Sequence, residues 1–225
     1  MGPFPEPSPY DLFAAEERSA PWATPALFGY VVIAALSLLG AWAEGSSFRS
    51  LFDNLRTQAQ TGVAHLQSTP SLRIDELGLL TLAIEVPVFV LLLTWQYRAA
   101  KTARSLFLPA KLVPCLGVGG RFIPIANFWL PYQAIRDCLS PDDPARTGMA
   151  RMWAFYVAGV VLDLVATVLA YVGTPVAFAF GAAALVAGIG FALHGSHVVR
   201  SIMDAHRRLL YPGRYPSGGS VVSPG

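Results

Sequence analysis

The sequence predicts an all-α membrane protein with four transmembrane helices and a proline-bent interfacial helical segment between spans two and three. Three observations lead there. The 225 residues are 54% hydrophobic and only 13% charged, with mean hydropathy +0.48, whereas an average soluble domain is about a quarter charged. The apolar residues gather in four blocks, each long enough to cross about 30 Å of hydrocarbon as a helix. The basic residues divide unevenly between the connections. Net charge is only +2, so no polyanionic partner is implied, and nucleic acid is not expected.

Residues 1–24 open with "MGPFPEPSPY" and are expected to form a disordered, Pro-rich cytoplasmic tail. Span one is "PALFGYVVIAALSLLGAWA", residues 25–43, with Pro25 suited to a first helical turn. Its "AWAEG" end resembles a signal-peptidase site. The polar stretch before it holds four acids and one arginine and lacks a basic n-region, so the span is expected to be retained. In the loop 44–76, Phe48, Leu51, Phe52, Leu55, Ala59, Val63 and Leu66 fall at helical spacing. An outer amphipathic cap and a ligand-facing lid look alike here. Span two is 77–97, span three 152–172 and span four 175–199, and Gly173-Thr174-Pro175 makes a short hairpin between the last two. Helices are the expected form, because a lone apolar strand leaves its backbone unpaired in lipid. Residues 200–225 are first basic, then Pro/Gly/Ser-rich, and read as a second cytoplasmic tail.

Orientation follows from Arg and Lys. With both termini inside, thirteen basic residues lie on the inner side and three (Arg49, Arg56, Arg73) outside. Fourteen Arg against two Lys, with abundant Ala, Gly and Pro, suggest a GC-rich bacterial genome, hence a bacterial cell membrane. Cys115 and Cys138 lack a CxxC or Cys/His cluster and are expected to be free thiols near the inner surface.

The stretch "GGRFIPIANFWLPYQAIRD", residues 119–137, has fourteen uncharged residues bracketed by Arg121 and Arg136. As a helix they reach about 21 Å, too short to cross. Pro124 and Pro131 would interrupt the hydrogen-bond ladder. The segment 109–140 is therefore expected to lie in the inner interface, with Trp129 and Tyr132 at headgroup level. Gly117, Gly119 and Gly120 permit a tight approach before it. Together with "WQYRAAKTARSL", residues 95–106, this stretch resembles a bacterial membrane family labelled domain of unknown function 4328, common in actinobacteria. The resemblance rests on Trp95, Arg98, Gly120, Phe122, Pro124, Asn127, Pro131 and Tyr132, and spans roughly 77–199. Arg121 stands where the family usually has Trp, and Thr102 where it often has Asn. It implies a multi-pass membrane protein and supplies no activity.

Two carboxylates lie inside spans: Glu85 in span two and Asp163 in span three. They sit at similar depth, about 12 and 13.5 Å from the outer ends. Intramembrane carboxylates are functional candidates by default. Facing each other, they would compete, and one would hold a proton. Alternatively each bonds a helix neighbour such as Thr81, Thr167 or Ser37. His194 and His197 lie too far inward to join them and read as interfacial. No HExxH, GxSxG or two-helix haem ligation appears, so no cofactor, metal or catalytic constellation is expected. Ala184, Gly188 and Ala192 form a small-xxx-small stripe, serving either packing on span three or a homodimer seam. The expectation is a non-catalytic scaffold, sensor or accessory subunit that presents the interfacial segment to the lipid bilayer or a protein partner. The alternative is a small proton- or cation-coupled transporter or channel using Glu85 and Asp163; a membrane enzyme ranks third.

Overall fold

The computed structural model describes residues 6–61, 72–123, 125–171 and 176–214, with side chains described except at 41–55, 57–61, 72–78 and 171. Among the described residues there are six α-helices and no strand: α1 (Pro9–Thr61), α2 (Leu72–Ser105), α3 (Pro114–Gly119), α4 (Leu130–Arg136), α5 (Ala145–Tyr171) and α6 (Val176–Leu210). Four stretches are long and apolar enough to cross a membrane: Pro9–Gly40, Leu79–Ser105, Ala145–Ala170 and Val176–Leu210. The fold is the expected one, with each long helix covering one expected span.

The expected boundaries need correction. Residues 9–24 are not a loose tail but the first turns of α1. Ser8 opens that helix with a reciprocal cap: its Oγ donates to Asp11 Oδ2 at 2.6 Å, and the Asp11 N–H donates back to Ser8 Oγ at 3.2 Å. Pro9 takes the first helical position, where no N–H is missed. Phe13, Glu16, Ser19, Ala23, Ala26 and Leu27 are all buried. Their spacing of three or four residues is one helix face. Pro25, expected in a first turn, therefore sits well inside α1, as does Pro21. Helix α1 also continues without a break through 44–61, so the expected separate outer helix is an extension of span one. The basic stretch 200–210 is likewise helical, as the end of α6. The hairpin 172–175, residues 62–71, Pro124 and the tail ends 1–5 and 215–225 lie outside the described residues.

Two compact units divide the chain, one of 1–25, 90–153 and 194–225, the other of 26–89 and 154–193. The first unit holds the short helices. Val113 is extended and Pro114 begins α3; Pro131 sits in the first turn of α4. Two 3-10 turns, Gly120–Phe122 and Ala126–Phe128, join them. Helix α3 packs on α4 through glycine: a Cβ at Gly117 would strike Ala134. Helix α5 is started by Asp143, whose Oδ1 accepts from the Ala145 N–H at 2.8 Å.

In the second unit, small residues set the helix approaches. A Cβ on Gly188 would meet Ala34 Cβ of α1 at 3.8 Å, and one on Gly181 would meet Leu38 Cδ1 at 2.7 Å. Gly159 of α5 faces Ala187 and Ala184 of α6. The small residues of α6 thus pack on both α1 and α5, where the sequence suggested span three within the monomer.

Two substitutions test this architecture. Gly120→Ala places a Cβ 2.7 Å from Leu130 Cβ; it is expected to destabilise by about 1–3 kcal/mol in detergent melting. Just past the end of α2, Phe107 has φ 56° and is 95% exposed. Phe107→Gly relieves a left-handed conformation without losing packing, and is expected to stabilise by up to about 1 kcal/mol in the same assay.

Candidate functional site

Each unit brings together one set of candidate residues. In the first unit the family-like residues divide into a buried floor and an exposed rim. Trp95 is buried on α2, and its indole N–H has no hydrogen-bond partner among the described residues. Gln96, also buried, donates from Nε2 to Gly117 O at 3.4 Å and accepts from Arg121 Nε at 3.3 Å. Gln96 thereby ties α2 to the turn before the apolar run. Gly120 and Pro131 are also buried. Tyr132 lies between Trp153, with ring centroids 5.8 Å apart, and the Arg136 guanidinium, 5.8 Å from its centroid. Trp153 Nε1 donates to Phe128 O at 3.0 Å and pins the second 3-10 turn to α5. Asn127 is half-buried, and its backbone N–H donates to Ile123 O at 2.8 Å.

The rim is apolar. Phe122, Ile123, Ile125, Phe128 and Trp129 are all exposed, Ile125 by 87%. The sequence places Phe122 among the family-like residues, and here it points outward with its neighbours.

The same unit contains a group that the sequence reading missed. Glu16 of α1 and His206 of α6 are both fully buried. His206 Nδ1 lies 2.9 and 3.1 Å from the two Glu16 carboxylate oxygens. His206 Nε2 lies 2.9 Å from the Cys138 carbonyl oxygen. A carbonyl only accepts, so Nε2 carries a hydrogen. Nδ1 then faces the Glu16 carboxylate. Arg98 reinforces the same helix by donating from Nη1 to Ala15 O at 3.0 Å. Arg207 bonds Glu17 at 2.8 Å on the exposed side. Glu16 lies on the buried stripe of α1, and His206 continues the stripe of Val198, Val199, Ile202 and Met203 on α6. His194 and His197 do not take part.

In the second unit, Glu85 and Asp163 line one cavity of about 190 Å³. Its wall includes Tyr30, Ser37, Phe155, Tyr156 and Phe191 and no basic residue. Phe191 sits edge-on to Tyr30, with centroids 5.4 Å apart at 86°, and 5.5 Å from Tyr156. Thr167, a suggested partner of the Asp163 carboxylate, instead donates to the Asp163 backbone carbonyl at 2.9 Å. Among the described residues, no group of three or more His, Cys, Asp or Glu is placed to hold a metal.

Both cysteines are free; Cys115 is exposed and Cys138 buried. Burial first, then the Glu16 and Asp137 carboxylates, push the Cys138 thiol well above its ordinary value of 9.0. The folded chain keeps this proton where the unfolded chain releases it. The contribution is thus complete below pH 9.0 and is lost as pH rises above it. Wild type is expected to lose more stability than Cys138→Ala above that pH, measured as the difference between their melting curves. A maleimide at neutral pH is expected to label Cys115 and spare Cys138 until the protein unfolds.

No curated protein matches the chain. No solved structure matches it either. The family described as Domain of unknown function (DUF4328) matches residues 72–204, more than half of the chain. That range contains Glu85, Asp163 and the whole rim and floor of the short helices, and it leaves out Glu16 and His206. The chain belongs to the DUF4328 family.

Proposed function

We propose that this is a non-catalytic membrane protein of the bacterial cell envelope that seats a rigid apolar rim at the cytoplasmic face of the bilayer. There it acts as a scaffold, sensor or accessory subunit. One observation carries the reading. Five consecutive or near-consecutive apolar side chains, Phe122, Ile123, Ile125, Phe128 and Trp129, are exposed on a segment fixed from below by Gln96, Trp153 and Pro131. In water such a row is a liability. At a membrane interface it lowers free energy by burying apolar side chains among acyl chains, with Trp at headgroup level.

Charge supports the same side. All thirteen basic residues assigned to the inner face by sequence fall within the first unit, which also holds the rim. Arg121 and Arg136 flank the rim itself and suit anionic headgroups. The termini are then cytoplasmic. The rim and a protein partner are compatible, since a helix-anchored surface at the interface can present polar atoms to the cytoplasm while its apolar side chains hold depth.

A nitroxide attached at Ile125→Cys, in a chain that also carries Cys115→Ser and is reconstituted in phosphatidylglycerol-containing vesicles, tests this. Relaxation by oxygen is expected to exceed relaxation by a water-soluble nickel chelate. The reverse ratio would place the rim in water and remove the reading.

A second reading, a proton- or cation-coupled transporter, is favoured by the shared cavity of Glu85 and Asp163. It expects ion flux into proteoliposomes that is abolished by Glu85→Gln. Flux that persists in this variant removes Glu85 from any such pathway.

A further inference from the structure

We propose that the part of the first unit just beyond α2 is a self-docking surface, on which Phe107 of one copy of this chain enters a groove on a second copy. The proposal uses neither the rim nor the cavity of the second unit, and it stands apart from both readings above. The surface lies outside the hydrocarbon. Arg98, Lys101 and Arg104 precede Phe107 along α2, and three basic residues in succession are too costly to hold among acyl chains.

The end of α2 supplies the knob. The Leu108 N–H donates to Ala103 O and the Phe107 N–H to Arg104 O, both at 3.1 Å. These two bonds are a Schellman motif, which puts one residue in the left-handed region, where glycine is the usual occupant. Here that residue is Phe107, at φ 56°, an uncommon conformation for a bulky side chain. The motif also sorts the side chains. Leu106 packs on the core of Phe13, Met203 and Leu210, and Leu108 lines a groove. Phe107 between them is 95% exposed, so its ring returns no packing within its own chain for the strained backbone. An outlier of this kind points to a functional contact.

The groove supplies the hole. It measures about 310 Å³, with Leu108, Leu209 and Pro212 as its apolar wall and Ser140, Asp143 and Arg208 as its polar edge. About 150 Å³ is enough to hold a benzene ring. Knob and hole therefore stand side by side on one chain, and such a patch is self-complementary: a two-fold axis puts each ring in the other copy's groove. A bilayer suits this arrangement. Two copies inserted with the same side inward are related by an axis along the membrane normal, which keeps equal residues at equal depth. Phe107 and Leu108 are consecutive, so knob and groove meet at that depth. Charge complements the shape. No acid occurs from Val86 to Arg136, and Arg104 and Lys111, on either side of Phe107 in the chain, are exposed. The groove edge carries Asp143 and, next to it in the chain, the exposed Asp142. One cation opposes them there, Arg208, 4.0 Å from Asp143. The basic flank of one copy thus faces the more acidic edge of the other.

The test uses the full chain. In an uncharged maltoside detergent, sedimentation equilibrium is expected to show 24.1 kDa chains that pair reversibly as concentration rises. Phe107→Gly and, separately, Leu209→Trp, which fills the groove, are each expected to weaken pairing by about tenfold or more. The stabilisation expected above for Phe107→Gly belongs to the separate chain, because pairing makes melting depend on concentration. A variant that melts no lower when dilute and yet pairs less is not a folding defect. The contact itself is read in vesicles that hold an equal mixture of two chains, both with Cys115→Ser, one with Phe107→Cys and the other with Leu209→Cys. Mild oxidation is expected to join unlike chains in clear excess over like chains, and this yield decides the question where detergent keeps the copies apart. A yield no higher than for like chains overturns the proposal. So does pairing in detergent that neither Phe107→Gly nor Leu209→Trp weakens, since another face then holds the copies together. Protection of Leu209→Cys from a maleimide in unpaired chains, lost on deletion of residues 215–225, would assign the groove to the chain's own tail and overturn it too.

Discussion

The first unit depends on one interaction, the buried contact between Glu16 and His206. Both side chains have no exposure, and each would be costly to bury alone. Together they satisfy each other, and the other imidazole edge is satisfied by the Cys138 carbonyl. Three parts of the chain meet at one imidazole: the start of α1, the end of α6, and the segment just after α4. A buried pair of this kind gives modest net stability relative to an apolar substitute, but breaking one side of it is severe. Its role here is registry. A displaced α1 would strand a carboxylate, and a displaced α4 segment would strand an N–H.

That registry explains how a short, proline-interrupted segment holds an apolar rim in place. Helices of six and seven residues, α3 and α4, are too short to be stable alone. They are held by contacts that leave little freedom: Gly117 against Ala134, Gly120 against Leu130, and Trp153 on the Phe128 carbonyl. Asp137 adds a tether by accepting from the Lys111 N–H at 2.8 Å. The rim side chains are exposed. Their position comes from the buried groups beneath them, and in the reading proposed above their apolar surface supplies the affinity for the membrane.

How much of this was legible in the sequence varied with the kind of signal. The four spans were readable because uninterrupted hydropathy is a long-range, redundant pattern. The short, non-spanning helices of this segment were readable because two flanking arginines and two prolines excluded a crossing helix. The first turns of α1 were misread because Pro, Ser and acidic residues suggested disorder. In fact "SPYD" is a helix start, and the buried face behind it contains Glu16. A polar residue on a buried stripe looks like solvent-facing sequence until its partner is known, and His206 lies 190 positions away. The shared cavity of Glu85 and Asp163 had the right depth in sequence, but facing depends on helix rotation, which periodicity did not fix.

A double-mutant cycle at Glu16 and His206 tests the central claim most directly, with unfolding free energy measured in detergent. Glu16→Leu and His206→Leu singly are each expected to cost about 3–5 kcal/mol, because each strands a buried polar partner. The double variant is expected to cost much less than their sum, giving a coupling of about 2 kcal/mol or more. Additive losses would contradict the account and show that the two side chains act independently.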